Sequence, residues 1–402
     1  MEKNARILLE SFNKKEGAII MICEKNKCTA CGACLNVCPK EAITMLEDEY
    51  GNIYPSINNK KCINCGLCRG VCPQLNNKTS FHKSTKIYAM YCKNQDVRSE
   101  SSSGGAATLF YESILEENGV VYGASNLFCS NKFNFVKILN KNDLYKIKGS
   151  KYVHCYTGNI YKDVKEELKS NKKVLFIGTP CQVDGLKSYL MKDYENLFCI
   201  DVICHGVPSQ KLLFDELNNL NIKQKDINYI IFRDDNGFTF KVIDSNNKIL
   251  KEEPSNKICY YNNFLEGNIY RENCYNCKYA KRERISDVTI GDFWGLDKTS
   301  KVYDDEKKGI SLVMQNTDKG YTLIKSIMKD CVIEERPLEE PYKGNGQLNH
   351  PMNKNKKYTI YKKYYPLLGY KKTCDKMILF KDKIKLMIKN KSLLYKIYKN
   401  NK

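Results

Sequence analysis

The sequence predicts two unlike parts: a small α+β module near the start, and a larger α/β domain with a mixed, largely parallel sheet. Two observations carry this prediction. A pattern of four cysteines followed by proline occurs twice between residues 28 and 73. From residue 87 onward, short apolar runs alternate with helical patterns, which is typical of domains in which helices cover a sheet. The length of 402 residues and the hydrophobic content of 42% allow several cores.

The repeated pattern is C-x2-C-x2-C-x3-C-P, which reads CTACGACLNVCP from residue 28 and CINCGLCRGVCP from residue 62. It is the run of bacterial two-cluster ferredoxins, in which the fourth cysteine of each run binds the other cluster. The spacing therefore predicts two [4Fe-4S] clusters. The cysteines of the first are Cys28, Cys31, Cys34 and Cys72, and those of the second are Cys62, Cys65, Cys68 and Cys38.

This ferredoxin-like 2x[4Fe-4S] module is predicted over residues 18–78. Two zinc knuckles are the alternative, which the duplicated run with both prolines disfavours. Between the runs, EDEYGNIYP predicts a hairpin with its turn at residues 50–52. Cys23 fits neither run and is predicted to be a plain buried thiol.

The positive charge of the chain is concentrated near its end. The formal net charge is +20, from 66 Lys and Arg and 46 Asp and Glu. Residues 351–402 hold 16 Lys, no Arg and two acids, so that +14 lies there and +6 in the rest. This distribution does not indicate a body that binds nucleic acid. No apolar run approaches the roughly 20 residues of a membrane span, and no secretory signal is visible, so we expect a cytoplasmic protein.

Two strands of the larger domain each end in a cysteine, Cys181 in GTPCQ and Cys204 in CHGVPS. Ligands of open α/β sheets gather at the carboxyl ends of strands, so both thiols are expected to face one crevice. The alternative is that each is an ordinary buried cysteine. A later Cys-x-x-Cys pair, Cys274 and Cys277, supplies only two of the four ligands that a cubane needs.

We interpret these four cysteines as the ligands of a third [4Fe-4S] cluster. A redox dithiol at 274 and 277, or a zinc site with the same four residues, are the alternatives. Upstream, the serine and glycine run at residues 101–105 precedes a helix predicted over about 105–117. Such a helix start can bind phosphate, or it can be an ordinary serine N-cap.

In this order, the motifs SSSGG, GSKYV, GTPCQVDGL, DVICHGVPS, C-x2-C and DVTIGDFWG resemble the beta subunits of coenzyme F420-dependent hydrogenases and formate dehydrogenases. That family also includes chloroplast hydroxymethyl-chlorophyll reductase. The resemblance covers about residues 84–351, and bacterial members frequently carry a two-cluster ferredoxin module in front. It implies a flavin-binding domain with FAD beside a [4Fe-4S] cluster. The flavin-site residues that match its motifs are Ser102, Ser103, Gly104, Gly105, Ser150 and Lys151.

Further candidates come from the edges of these motifs. Lys151 is a charge partner for the flavin or its phosphates, or else a solvated surface lysine. The strand VTIGD brings Asp292 and Trp294 to the rim of the site, where Trp294 either stacks on the flavin or caps the core. His205 borders Cys204 and is a candidate for proton transfer. We assign candidate catalytic roles to His205 and Asp292.

The expected divisions of the chain after the first module are a flavin-domain N-terminal half at 84–190, a C-terminal half with the third Fe-S site at 191–350, and a basic Lys-rich tail at 351–402. The seven other cysteines show no pairing pattern and are predicted to be structural; they are Cys92, Cys129, Cys155, Cys199, Cys259, Cys331 and Cys374. Residues 376–399 predict a basic amphipathic helix. It would lie on an anionic membrane surface, such as the inner membrane face, or on an acidic partner; the alternative is a solvated helix that packs on the body.

The predicted function is that of an iron–sulfur flavoprotein oxidoreductase. It passes electrons between ferredoxin-type clusters and FAD and exchanges a hydride with an organic acceptor or donor. The resemblance implies coenzyme F420 or another small substrate, with a link to polysaccharide metabolism in members of this fused kind. The expected partners are an electron-transfer protein and a small molecule. The alternatives are an electron-relay subunit of a larger redox complex with no substrate of its own, and a zinc-bearing binding protein.

Overall fold

The computed structural model of the chain describes residues 22–126, 132–234, 237–303 and 309–377. The helices within these ranges are α1 (Ala33–Val37), α2 (Leu67–Gly70), α3 (Gln95–Ser99), α4 (Ala106–Glu116), α5 (Ile160–Lys169), α6 (Pro180–Leu190), α7 (Gln210–Asn219), α8 (Cys259–Leu265), α9 (Asp318–Ile327), α10 (Glu340–Gly344) and α11 (Lys356–Met377). The strands are β1 (Ile43–Glu47), β2 (Ile53–Ile57), β3 (Lys86–Cys92), β4 (Val120–Ala124), β5 (Phe135–Ile138), β6 (Val174–Gly178), β7 (Leu197–Val202), β8 (Tyr229–Ile231), β9 (Thr239–Ile243), β10 (Ile249–Pro254), β11 (Val288–Asp292), β12 (Ser311–Gln315) and β13 (Cys331–Arg336).

The N-terminal module has the predicted hairpin between its two cysteine runs. Strands β1 and β2 pair antiparallel, and Gly51 at the turn has a φ of +74°. Each run forms one short helix, α1 or α2, that begins after a left-handed glycine. The module has a small core of its own, to which Ile22, Ile43 and Tyr54 contribute together with cysteines of the runs.

The larger domain is built on an eight-stranded sheet with the order β13-β3-β12-β11-β7-β6-β4-β5. Strands β4, β6, β7 and β11 are parallel neighbours. The prediction of a mixed sheet is confirmed, but the prediction that it is largely parallel is wrong. Four of its seven neighbouring pairs are antiparallel. The alternation of strands and helices in the sequence does not reveal that β3 lies between the two last strands, β12 and β13.

Helices cover both faces of this sheet, which explains why its central strands are nearly continuous apolar runs. Val120 and Tyr122 of β4 face one core, which also receives α5, α6 and α7. Val121 between them faces the other core, to which α4 and α9 contribute. The same alternation continues along β6 and β7. The carboxyl ends of these buried strands therefore open at one edge, where the predicted site residues follow.

A second, three-stranded antiparallel sheet has the order β10-β9-β8. Beyond it, α11 packs on α7 through the buried tyrosines Tyr361 and Tyr365. Cys374 of α11 and Cys259 of α8 form a disulfide. The prediction that these two cysteines lack a pairing pattern is therefore wrong. Their separation of 115 residues gives no local signal, because only the packing of α11 brings them together.

Within the described ranges, no helix is both long and apolar enough to cross a bilayer. The predicted tail at 351–402 is described as far as Met377, and that part is the helix α11. Almost all of the amphipathic segment at 376–399, and Cys129, lie outside the described residues.

Candidate metal and cofactor site

The four cysteines predicted to hold a third cluster line one cavity at the carboxyl edge of the sheet. Cys181 stands in the first turn of α6, directly after β6, where a capping box between Thr179 and Gln182 fixes the helix start. Cys204 lies two residues beyond the end of β7. Cys274 and Cys277 approach from a 3-10 turn at Glu272–Asn276.

Cys274 is buried and the other three cysteines of this group are half-buried, and the thiols are close enough to influence one another. Burial raises the pKa of Cys181 and of Cys274 to about 12, and neighbouring thiols add to the rise. Burial also raises the pKa of Cys204 and of Cys277. Four thiols around one cavity favour a cationic group among them, because a metal centre stabilises thiolates outright.

The distance between the thiols bears on whether a cluster or a single metal ion would fit among them. Around one Zn²⁺ the ligand sulfurs lie at about 2.3 Å, so they nearly touch one another. Within the described ranges, no group of three or more His, Cys, Asp or Glu side chains meets closely enough to hold one metal ion. The four thiols surround a cavity instead. Such an arrangement fits a cubane, whose irons and sulfides occupy the space between the thiolates.

The cysteines of the first predicted cluster also line a common cavity, formed by Cys28, Cys31, Cys34 and Cys72. Cys23 lines the same cavity, which the prediction of a plain buried thiol did not include. A hydrogen bond from the Cys23 thiol lowers the pKa of Cys28 to about 7 and that of Cys72 to about 6. The same contacts raise the pKa of Cys23 itself.

The cysteines of the second predicted cluster lie at the outside of the module. Cys65 is exposed, whereas Cys38, Cys62 and Cys68 are half-buried. Burial raises the pKa of Cys68, and Cys62 and Cys65 are near enough to contribute. Cys38 and Cys68 pack against the same small core. The ferredoxin pattern requires them to be close together, because Cys38 belongs to the first run but would bind the second cluster.

The first cysteine group and the third lie next to each other across helix α6. Cys181 and Gly185 are four residues apart on this helix and so share a face. A side chain at Gly185 would lie 2.9 Å from the sulfur of Cys31. Thr29 lines both cavities. The glycine thus allows the helix that carries one cysteine group to touch the other.

A larger cavity of about 300 Å³ adjoins the third cysteine group. Cys204, His205 and Thr179 line both cavities. Most of the predicted flavin and catalytic residues line the larger one, namely Ser102, Ser103, Gly105, Ser150, Lys151, His205, Asp292 and Trp294. Its volume lies at the lower end of the range of small-molecule sites, about 300–1,000 Å³.

Gly104 supports this cavity from behind. A Cβ atom there would lie 2.3 Å from the carbonyl oxygen of Met90 and 2.7 Å from the amide nitrogen of Ser311. The loop is therefore pressed onto β3 and β12. In front of it, the Ser102 hydroxyl oxygen accepts a hydrogen bond from the Ser150 amide at 2.7 Å, which joins the two predicted flavin motifs.

Two polar atoms in the lining are buried and have no hydrogen-bond partner within the described part of the chain: the Ser103 hydroxyl and Asp292 Oδ1. Buried polar groups are rarely left unsatisfied in folded proteins. Asp292 forms an ion pair with Arg233 through its other oxygen. The two open positions fit a polar ligand, and they lie where the flavin was predicted.

Lys151 is half-buried, and its amine is bound to the protein backbone rather than free in solvent. Its amine donates to the carbonyl oxygens of Ile147, Lys148 and Gly149 at 2.6–2.9 Å. Burial lowers the pKa of Lys151 to about 7. The amine therefore clamps the loop that precedes Ser150. Burial also lowers the pKa of His205.

Trp294 lies at the mouth of the larger cavity and is 40% exposed, so it does not cap the core. Its ring stacks on Phe238 with centroids 6.4 Å apart, and the guanidinium of Arg233 lies 5.6 Å from it. No sequence motif points to Arg233 or Phe238. Both come from the three-stranded sheet region, and no motif links that region to Trp294.

Two family models match the chain. Residues 171–341 match the C terminus of the coenzyme F420 hydrogenase/dehydrogenase beta subunit, and residues 27–76 match a 4Fe-4S dicluster domain. Among solved structures, a chain of the F420-reducing [NiFe] hydrogenase complex from Methanosarcina barkeri is 19% identical. The match covers 65% of this chain and 85% of that one, with a TM-score of 0.46. No curated protein matches.

Proposed function

We propose that the protein is an iron–sulfur flavoprotein oxidoreductase, because residues 171–341 match the C terminus of the coenzyme F420 hydrogenase/dehydrogenase beta subunit and residues 27–76 match a 4Fe-4S dicluster domain. It would exchange single electrons with a protein partner and a hydride with a small organic molecule. Bound clusters supply one-electron carriers, and bound FAD supplies the junction to two-electron chemistry. The cysteine groups and the lining of the larger cavity described above would hold these groups.

The observation that carries the proposal is the sequence of neighbouring cavities. The outer cysteines lie at the surface, and the first group follows behind them in a cavity that Thr29 connects to the third group. Cys204 and His205 connect the third group to the larger cavity. A chain that only bound metal for stability would not need three ligand groups in line with an open pocket.

The residues of the larger cavity divide into those that hold a flavin and those that act on a substrate. Ser103 and the first turn of α4 offer donors to phosphate or ring oxygens, and Ser150 offers another. His205 would move a proton beside the reacting ring, since it lines both the larger cavity and the cavity of the third group. Asp292 would orient the substrate together with Arg233.

The surface around the second cysteine run fits a protein partner. Ile63, Leu67 and Leu75 are exposed to 57%, 41% and 44%. Apolar side chains grouped around an exposed cluster are suited to a transient docking contact. On the opposite side, the small substrate is coenzyme F420, as in the name of the family, or another organic hydride carrier, including one linked to polysaccharide metabolism.

Anaerobic purification with analysis of iron, sulfide and flavin tests this function. We expect about twelve irons, since each of three cubanes carries four, and one FAD released on denaturation. Cys274→Ser should lose about four irons. Cys199→Ser is the matched control, because Cys199 is fully buried in β7 and lines none of the three cavities. Twelve irons without flavin would reject the flavoprotein oxidoreductase and favour the electron-relay subunit. Zinc in place of iron would reject both of these functions.

A further inference from the structure

Arg271 is one of the most deeply buried side chains in the described part of the molecule, with 1% of its surface exposed. It lies three residues before Cys274, and its carbonyl oxygen accepts a hydrogen bond from the Cys274 amide at 3.0 Å. Its Nη2 atom donates to the carbonyl oxygens of Cys28 and Ile53, both at 3.2 Å. The arginine therefore bridges the dicluster module and the loop of the third cysteine group.

The contacts of Arg271 in the described ranges are all with neutral groups. Its Nε atom donates to the Asn273 side chain at 3.3 Å, and its guanidinium lies 4.9 Å from the centre of the Tyr54 ring. No carboxylate in these ranges pairs with it, and its Nη1 atom is buried without a hydrogen-bond partner. A buried charge is strongly unfavourable unless an opposite charge compensates it.

Arg284 shows what such compensation looks like in the same protein. Its side chain is 2% exposed, and its Nη2 atom lies 2.9 Å from a carboxylate oxygen of the fully buried Asp201. Both arginines line the cavity of the third cysteine group. Only Arg284 has a carboxylate partner among the described residues, so the compensating charge for Arg271 must come from a group that binds here.

The surroundings indicate where that charge lies. Arg271 lines the cavity of the third group and binds the backbone of Cys28 in the first group. A [4Fe-4S]²⁺ cluster with four thiolates has a net charge of about −2. Two such groups on either side of Arg271 would supply the missing anions.

We propose that Arg271 is the internal counterion shared by the first and third cluster sites. It is a positioning residue and not a ligand. Its single positive charge lowers the repulsion between two anionic clusters and favours the reduced form of each, because reduction adds a further negative charge. The second cluster site, at the outside of the module, is not in contact with it. This inference rests on the proposed function only in that both clusters must be present.

Redox titration of the anaerobically purified protein, followed by electron paramagnetic resonance, tests the role of the charge. In Arg271→Gln, the equilibrium constants for reduction of the first and third clusters should fall at least about tenfold, which is about 59 mV for a one-electron couple. The second cluster should keep its midpoint and serves as the internal reference. A Cys274→Ser background identifies the signal of the third cluster. Arg271→Lys, which keeps the charge, should keep all midpoints.

The controls separate charge from structure. Arg282→Gln removes an arginine whose side chain is 51% exposed, and it should shift no midpoint. If Arg271→Gln loses iron from the inner sites while Arg271→Lys retains it, the charge is required and the proposal holds. Equal iron loss in both variants, unchanged midpoints in Arg271→Gln, or an equal shift of all three clusters would overturn it. Iron analysis of the wild type distinguishes these outcomes from failure of the proposed function. About twelve irons show that the clusters are present, so that a negative result then concerns Arg271 alone.

Discussion

The two cysteine runs have the same spacing and the same local backbone, yet they lie in opposite surroundings. Ala30 and Asn64, at matching positions, have φ values of +52° and +54°, and the glycines two residues later are also left-handed. Thr29 is 6% exposed, whereas its counterpart Ile63 is 57% exposed. The shared cysteine spacing therefore goes with a shared backbone conformation of the two loops. The residues between the cysteines differ, and they determine whether a loop is buried against the larger domain or exposed.

The inner position of the first run depends on small side chains. Ala33 is fully buried where the second run has Leu67, which is 41% exposed. Beside it, the Asn36 side chain donates to the carbonyl oxygen of Gly158 at 2.7 Å, and the Thr157 hydroxyl donates to that of Cys31 at 3.1 Å. In the second run the comparable contact is at the end of the run, where the Lys278 amine donates to the carbonyl oxygen of Pro73 at 2.6 Å, and, within the described ranges, not around its first three cysteines. This difference gives the module an inner and an outer cluster site. Electrons would therefore enter or leave the module at the outer site.

The largest effect expected from this comparison concerns the ligands themselves. The first run has Cys23 five residues before Cys28, and the second has Ile57 at the matching position. Cys28→Ser should lose about four irons, one cluster, because Cys28 is a ligand. Cys23→Ala should keep all iron, since the other four thiols complete the site. Iron and sulfide analysis decides this, and the reverse pattern would make Cys23 the ligand.

The division into inner and outer sites also shows how far the sequence alone leads. The twelve cysteines could be grouped because ligand spacing is local and because strand ends of an α/β sheet converge. The antiparallel half of the sheet and the disulfide between Cys259 and Cys374 could not be found, since both depend on contacts far apart in the chain. Arg271 was also missed, because its burial and its contacts with Cys28 and Ile53 join parts of the chain that are more than 200 residues apart.

The next effect in size concerns the glycines of the two runs. Gly32 and Gly66 have φ values of +84° and +74°, so alanine costs about 1–2 kcal/mol at either position. At Gly32 a Cβ would also lie 2.3 Å from the Thr157 hydroxyl, whereas nothing lies within 4 Å at Gly66. Overpacking adds about 1–3 kcal/mol, so Gly32→Ala should cost about 2–5 kcal/mol in total.

Anaerobic thermal unfolding of the cluster-loaded protein, followed by visible absorbance, measures this difference. Gly66→Ala is the matched control for the backbone strain, and Gly32→Ala with Thr157→Ala should recover much of the additional loss. Equal melting temperatures for Gly32→Ala and Gly66→Ala would mean that the first run is not held by the larger domain, and would remove the inner and outer distinction.

The smallest effect, and the most specific one, concerns the exposed side of the second run. Replacing Ile63 and Leu67 together by glutamate should slow electron exchange with a ferredoxin-type partner about fivefold to thirtyfold, as loss of about 1–2 kcal/mol of docking contact predicts. Leu46→Glu is the control, because Leu46 is 46% exposed on β1 of the same module. Reduction by dithionite, which needs no docking surface, should be unchanged in all variants. If Leu46→Glu slowed exchange as much as the double substitution, the outer cysteine run would not mark the partner's entry point, and the asymmetry of the two runs would reflect packing alone.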